Sequence, residues 1–241
     1  MSKLALITGG NKGIGLETAR QLGRQGFHVL VGARDAKAGE SAAEKLRAEG
    51  IAAAALVIDV TVPASITAAA AEVSRKYQAL DVLINNAGVL LDDTSKPPSG
   101  QSLDVWHRTF DANFFGVIAV TQAFLPLLRA APAARIVNLS SILASLALHV
   151  DPKSRIYHSQ SAAYNASKTA LNAWTVSLAY ELRDSPIKVN AVHPGHVQTD
   201  MGGASAPMGI VDGAKSSVAM ATLGADGPSG TFTHMEQPLP W

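Results

Sequence analysis

The 241-residue sequence contains no cysteine. Disulfides, a thiolate nucleophile and zinc–thiolate centres are therefore excluded. The absence fits a reducing cytosol. Charge is sparse and balanced, with 20 Lys plus Arg against 19 Asp plus Glu and a formal net charge of +1. No block of Lys and Arg supplies the concentrated positive surface that a phosphate backbone demands, so nucleic acid is not an expected partner. No run of eighteen apolar residues occurs, so no membrane span is expected. The apolar run Leu4–Thr8 is too short for the core of a signal peptide, and a cytoplasmic location is expected. Of seven histidines, His193 and His196 come closest to metal-ligand spacing, but a Pro-Gly turn separates them. Their rings are not expected to converge, so no metal is expected.

What is present is apolar residues, at 47% of the chain, which excludes a disordered polymer. A chain of this length can bury roughly 70% of its unfolded surface without a covalent staple. It shows neither a linker nor an internal repeat, so one domain over residues 1–241 is expected.

Short apolar runs recur at Lys3–Thr8, Phe27–Ala33, Ala52–Ile58, Asp81–Asn85, Arg135–Ser140 and Ile187–His193, with a weaker one at Gly230–His234. Their near-continuous hydrophobicity suits parallel strands covered on both faces. Between them lie stretches of helical spacing. Ile14–Gln25 stops at Gly26, Ala36–Glu49 starts after Asp35 and stops at Gly50, and Pro63–Tyr77 opens with proline. Two longer helical regions cover about 103–129 and 162–183. Strand and helix alternating in this way predict a parallel sheet with right-handed crossovers. Thr94–Gly100 and the Gly- and Ala-rich Gly202–Gly213 read as loops, the second as mobile. Both follow strands, where an open α/β sheet places its ligand.

Thr8-Gly9-Gly10-Asn11-Lys12-Gly13-Ile14-Gly15 joins the first strand to the first helix. A diphosphate needs main-chain N–H groups aimed at it and no Cβ in the way. The spacing Gly-xxx-Gly-x-Gly resembles the loop of the short-chain dehydrogenase/reductase family. Five further motifs carry the same resemblance in the same order. They are Asn85-Asn86-Ala87-Gly88, Asn113 in Asp-Ala-Asn-Phe-Phe-Gly, Asn138-Leu139-Ser140-Ser141, Tyr164-xxx-Lys168, and His193-Pro194-Gly195-His196-Val197-Gln198-Thr199. The pattern is most similar to the carbonyl reductase branch. It implies a doubly wound Rossmann-type α/β fold with a mostly parallel seven-stranded sheet in the order 3-2-1-4-5-6-7.

The resemblance also implies a nicotinamide cofactor. Asn11 and Ile14 in the glycine loop, Asp59 and Val60 beside the adenine, Asn86, Ala87 and Gly88 on the adenosine side, and Pro194, Gly195, Val197 and Thr199 near the nicotinamide and diphosphate would line it. An NAD enzyme carries an acid at the end of the second strand to bond the ribose hydroxyls. Ala33 stands there instead, eighteen residues past Gly15, with Arg34 next. A guanidinium suits a 2′-phosphate, and Lys12 supplies a second cation, so NADPH/NADP+ is expected over NAD(H). Asp35 reads as a helix cap, with a ribose contact as the alternative.

Tyr164 and Lys168 are four apart on a helix and share one face. A phenol titrates near 10, and an ammonium about 4 Å away at an effective dielectric near 20 stabilises phenolate by up to about 4 kcal/mol. Such a tyrosine can exchange a proton with a carbonyl oxygen while hydride moves to or from its carbon. The family implies that Lys168 also holds the nicotinamide ribose, that Ser141 rather than Ser140 orients the substrate oxygen, and that Asn113 holds a water in a proton relay.

Ser141 and Tyr164 are twenty-three positions apart, more than in most of the family, with the excess in about 146–160. Carbonyl reductases of the family also carry an insertion there. It borders the site and can cover the helix face used for oligomerisation, so monomer and homo-oligomer both stay open. Tyr157, within it, has no lysine four residues on. The expected reaction is reduction of ketones or aldehydes with NADPH. NAD-dependent oxidation of a secondary alcohol and non-catalytic sensing of NADP(H) are the alternatives. Leu90, Leu91, Leu143, Met201 and Met208 are candidates for an apolar substrate pocket.

Overall fold

The computed structural model describes residues 2–241. Eight strands form one sheet: β1 (Leu4–Thr8), β2 (His28–Ala33), β3 (Ala53–Val57), β4 (Val82–Asn85), β5 (Arg135–Leu139), β6 (Lys188–Val192), β7 (Phe232–His234) and β8 (Gln237–Pro238). Their order is β3-β2-β1-β4-β5-β6-β7-β8. The expected seven-strand order is found, and all seven strands are parallel. The addition is β8, antiparallel to β7. It returns through Met235 and Glu236, both left-handed at φ 47° and 64°, as a tight hairpin turn requires. Two residues with a proline carry too little pattern to read as a strand.

The helices are α1 (Gly13–Arg24), α2 (Ala36–Ala48), α3 (Pro63–Lys76), α4 (Leu103–Phe110), α5 (Gly116–Ala130), the single turn α6 (Leu146–His149), α7 (Ala162–Glu181) and α8 (Ile210–Ala221). Side chains alternate along each strand, so the sheet has an apolar layer on either face. Leu6, Leu83, Ile136 and Val189 pack with Phe124 of α5 and Leu178 of α7. Ile7, Val31, Ile84 and Val137 pack with Leu22 of α1, Leu46 of α2 and Val218 of α8.

Two readings need correction. The helix expected over 103–129 is α4 and α5 joined by a π-helical turn, Asp111–Phe115. The stretch Leu103–Ala130 is long and apolar enough to cross a membrane by length and composition, with an 18-residue window of mean hydropathy 1.4, yet half of that window is buried inside the fold. The second correction concerns Gly202–Gly213. Its first part folds back on the chain after β6, with Met208 bridging Val197 and Gln198 donating to the carbonyl of Met208 at 2.9 Å. Its end already belongs to α8. The sequence hides α8 because small residues face inward: a Cβ on Gly213 would lie 2.6 Å from a methyl of Val197.

A buried polar ladder ties the sheet to the helices around its C-terminal edge. Asn85 Nδ2 donates to Thr121 Oγ1 (3.1 Å) and to Asn138 Oδ1 (2.9 Å). Asn138 Nδ2 donates to Thr175 Oγ1 (2.9 Å), and Thr175 donates on to the carbonyl of Leu171 (2.8 Å). Removing one member strands its partners where no water reaches. Asn138→Ala is expected to lower stability by roughly 2–4 kcal/mol, read from the midpoint of urea unfolding. A loss below ~1 kcal/mol would contradict the ladder's role.

Candidate active site

The glycine loop lies between β1 and α1. Gly9 and Gly13 adopt left-handed conformations, φ 61° and 54°, which residues with a Cβ resist. Gly15 has no room for one, since a Cβ there would lie 2.5 Å from both Asn86 Nδ2 and the Gly9 carbonyl. Asn86 fastens this loop to the end of β4, donating to the carbonyls of Thr8 (2.8 Å) and Gly9 (3.1 Å). Thr8, which sequence reasoning passed over as a site residue, accepts from the N–H of Asn86 and of Ala87 at 3.0 and 3.1 Å. The start of α1 has no side-chain cap and no acid in its first turn. Its free N–H groups and its positive dipole end suit a diphosphate.

At the end of β2, Ala33 is buried and Arg34 exposed. Arg34 makes no ion pair among the described residues. Asp35 Oδ1 accepts from the N–H of Ala38 at 2.8 Å, so it caps α2. Lys12 Nζ meets Asp200 Oδ2 at 2.6 Å across an exposed gap, which ties the glycine loop to the segment after β6. In that segment Thr199 approaches the loop: a Cβ on Gly13 would stand 3.5 Å from its methyl. Gly195 is left-handed at φ 98°. After β3, Asp59 Oδ1 is held by Thr61, by its N–H at 2.9 Å and its hydroxyl at 2.7 Å, and Val60 follows, half-buried. These donors and the side-chain-free cradle fit a nicotinamide dinucleotide.

On the other wall, two serines follow β5 and take different partners on α7. Ser140 Oγ donates to Asn172 Oδ1 of α7 at 2.7 Å inside the core. Ser141 is the one that meets Tyr164. Tyr164 and Lys168, one turn apart on α7, are 8% and 4% exposed. Lys168 Nζ donates to the Leu139 carbonyl at 2.7 Å and sits 5.8 Å from the centre of the Tyr164 ring. Burial pushes the Tyr164 phenol up to about 12, with hydrogen bonding to Ser141 pulling it back by less. Burial pulls the Lys168 ammonium down to about 8. The expectation that the lysine charge dominates the phenol is thereby corrected. Burial moves the phenol in the direction opposite to the one a neighbouring ammonium would.

Asn113 lies in the π-helical turn and is fully buried. Its Oδ1 accepts from the Val89 N–H at 2.8 Å, and its Nδ2 donates to the Val89 carbonyl at 2.8 Å and to Ser167 Oγ at 3.0 Å. Both amide protons are thus engaged by protein. A π turn at this residue matches the tendency of such turns to mark functional sites.

Comparison with known proteins agrees with the geometry. The short chain dehydrogenase family model matches residues 3–208. The chain is a short-chain dehydrogenase/reductase. It is 36% identical to a short-chain dehydrogenase, anuI, of Penicillium roqueforti, over 92% of this chain and 89% of that one. It is 32% identical to mouse carbonyl reductase [NADPH] 1, over 99% and 98%. An NADPH-bound carbonyl reductase from chicken fatty liver superposes with a TM-score of 0.87 at 29% identity, covering 100% of this chain and 94% of that one. Carbonyl reductase Sniffer of D. melanogaster gives 0.84 at 30% identity, with both chains fully covered. The family is one of NAD(P)-dependent oxidoreductases.

In this family member the extra residues before Tyr164 form α6 and the turns after it. Ala147 N–H and Ser145 Oγ donate to the Trp241 carbonyl at 3.0 and 3.2 Å. At the other end, Asn165 Nδ2 of α7 donates to the Ser159 carbonyl at 2.9 Å. Tyr157 lies off the helix against His158. Among the described residues no group of three or more His, Cys, Asp or Glu could hold a metal ion.

Sequestering the lysine has a measurable thermodynamic effect. The unfolded chain holds a proton on Lys168 up to its ordinary 10.5, the folded chain only to about 8. Below pH 8 both states are charged and folding bears the full desolvation cost of roughly 3 kcal/mol. Between the two values the unfolded state binds more protons, so rising pH removes that cost. Lys168→Met is expected to raise unfolding stability at pH 7 by up to about 3 kcal/mol, an advantage that fades between pH 8 and 10.5. Urea titrations of both proteins across this range check it, and a pH-independent difference would refute it.

Proposed function

We propose that the chain is an NADPH-dependent reductase of ketones and aldehydes, working reversibly, with Tyr164 as the general acid and base. The observation that carries the reading is the meeting of Ser141, Tyr164 and Lys168 on one buried wall, with Gly88, just beyond the Asn86 that fastens the glycine loop, close against Lys168. The likeness to carbonyl reductases along nearly the whole chain supports it. In this reading residues 1–241 act as one cofactor-binding domain in the cytoplasm.

Bound NADPH supplies a hydride to the carbonyl carbon. The protein's part is to hold, orient and protonate. The main chain at Gly9, Asn11, Gly13, Ile14 and Gly15 would hold the diphosphate, with Asp59, Val60, Asn86, Ala87 and Gly88 around the adenosine and Pro194, Gly195, Val197 and Thr199 toward the nicotinamide. Arg34 is the principal 2′-phosphate ligand. Lys12 joins it only by giving up Asp200, its partner at 2.6 Å. Lys168 holds the nicotinamide ribose.

The Ser141 hydroxyl orients the substrate oxygen toward the phenol. Tyr164, pushed up to about 12 by burial, keeps its proton at neutral pH. It gives that proton up only as charge develops on a far more basic alkoxide oxygen. A retained proton suits reduction. Lys168 and Asn113 line the side from which the proton is replaced.

Tyr164→Phe is expected to lower kcat by roughly 10²–10⁴-fold while NADPH still binds, as followed by cofactor fluorescence. The panel should cover aldehydes, aryl ketones, diketones and quinones. Cofactor binding with no reduction across the panel would favour a sensor. Arg34→Ala is expected to raise KM for NADPH by roughly tenfold to a hundredfold and to leave KM for NADH nearly unchanged. Equal effects on both cofactors would remove the 2′-phosphate role.

A further inference from the structure

Tyr164 is the third residue of α7, in a first turn whose N–H groups have no partner within the helix. Ser161, at the capping position, makes no side-chain hydrogen bond there. The cap comes from elsewhere in the chain. Asp92 Oδ1 accepts from the Ala163 N–H at 2.8 Å, and Asp92 Oδ2 accepts from the Tyr164 N–H at 3.0 Å. Asp92 is 9% exposed, and its carboxylate sits at the positive end of a 20-residue helix.

The segment ending in Asp92 also touches the other residues of the site. Both main-chain groups of Val89 are held by the Asn113 carboxamide at 2.8 Å. Gly88 lies so close that a Cβ would stand 3.0 Å from Asn113 Oδ1 and 3.5 Å from Lys168 Nζ. Residues 88–92 therefore form a strut. One end is clamped by Asn113, and the other grips the main chain of Tyr164 itself.

We infer that Asp92 is a positioning residue, which sets the height and direction of the Tyr164 phenol by capping the turn that carries it. The inference rests on Tyr164 being the acid–base residue. Helix ends fray unless capped, and a misplacement of about 1 Å can lower turnover roughly a hundredfold. Lys168 lies one turn deeper and does not depend on the cap. Loss of Asp92 should therefore damage proton transfer and spare cofactor binding.

The experiment uses the whole chain with Asp92→Ala and Asp92→Asn, beside Tyr164→Phe. In Asp92→Ala, kcat per folded molecule is expected to fall roughly tenfold to a hundredfold, with the Kd for NADPH within about twofold of the parent. Asp92→Asn keeps one side-chain acceptor and should fall between the two. In the cofactor-free protein, hydrogen exchange at the Tyr164 amide should quicken in Asp92→Ala while that at the Lys168 amide does not. Unchanged exchange at Tyr164, or kcat within about twofold of the parent, would overturn the inference. So would a parallel loss of kcat, NADPH affinity and thermal stability. Should Asp92→Ala not fold, Asp92→Asn decides alone: reduced kcat at parental NADPH affinity sustains the strut, and parental kcat refutes it. Full turnover by Tyr164→Phe would instead sink the acid–base reading.

Discussion

The removal of Tyr164 and Lys168 from water is the constraint on which the site depends. Burial disfavours the charged form of each, and each is displaced from its ordinary titration in the direction burial dictates. A phenol that holds its proton and an amine that gives one up readily are the consequence. The enclosure is built by α7 lying against the C-terminal end of β5, where the Leu139 carbonyl takes the amine. The fold tolerates this expense because the surrounding layers are tightly apolar on both faces of the sheet. Stability and chemistry pull against each other at this point.

Much of this was legible in the residues. The strand runs read correctly because central parallel strands are apolar on both sides. The glycine loop read correctly because only glycine satisfies its backbone. Ser141 is preferred to Ser140 because the family resemblance points to the second serine of the pair, and Ser140 is spent on Asn172. Asp35 could be read as a cap from its place before a helix.

Other features were hidden for physical reasons. The helix α8 carries glycine, alanine and serine where it packs closely, so no apolar stripe announces it. The π turn at Asn113 changes one hydrogen-bond step in an otherwise unbroken helical pattern. The balance between desolvation and charge at Tyr164 depends on depth, which spacing does not report. Asp92 acts on a helix 71 residues away, and its own neighbours in sequence point only to a loop. The partnership of Lys12 and Asp200 spans 188 residues and has no local signature at all.

The hydrogen bonds that Trp241 receives from Ser145 and Ala147 carry a mechanical consequence. One main-chain carbonyl pins a turn nearly a hundred residues away in the chain, just beyond Ser141. Displacement of Trp241 would leave the Ser145 hydroxyl and the Ala147 amide to find other partners. A disturbance at residue 241 is thereby passed to the turn that follows the two serines.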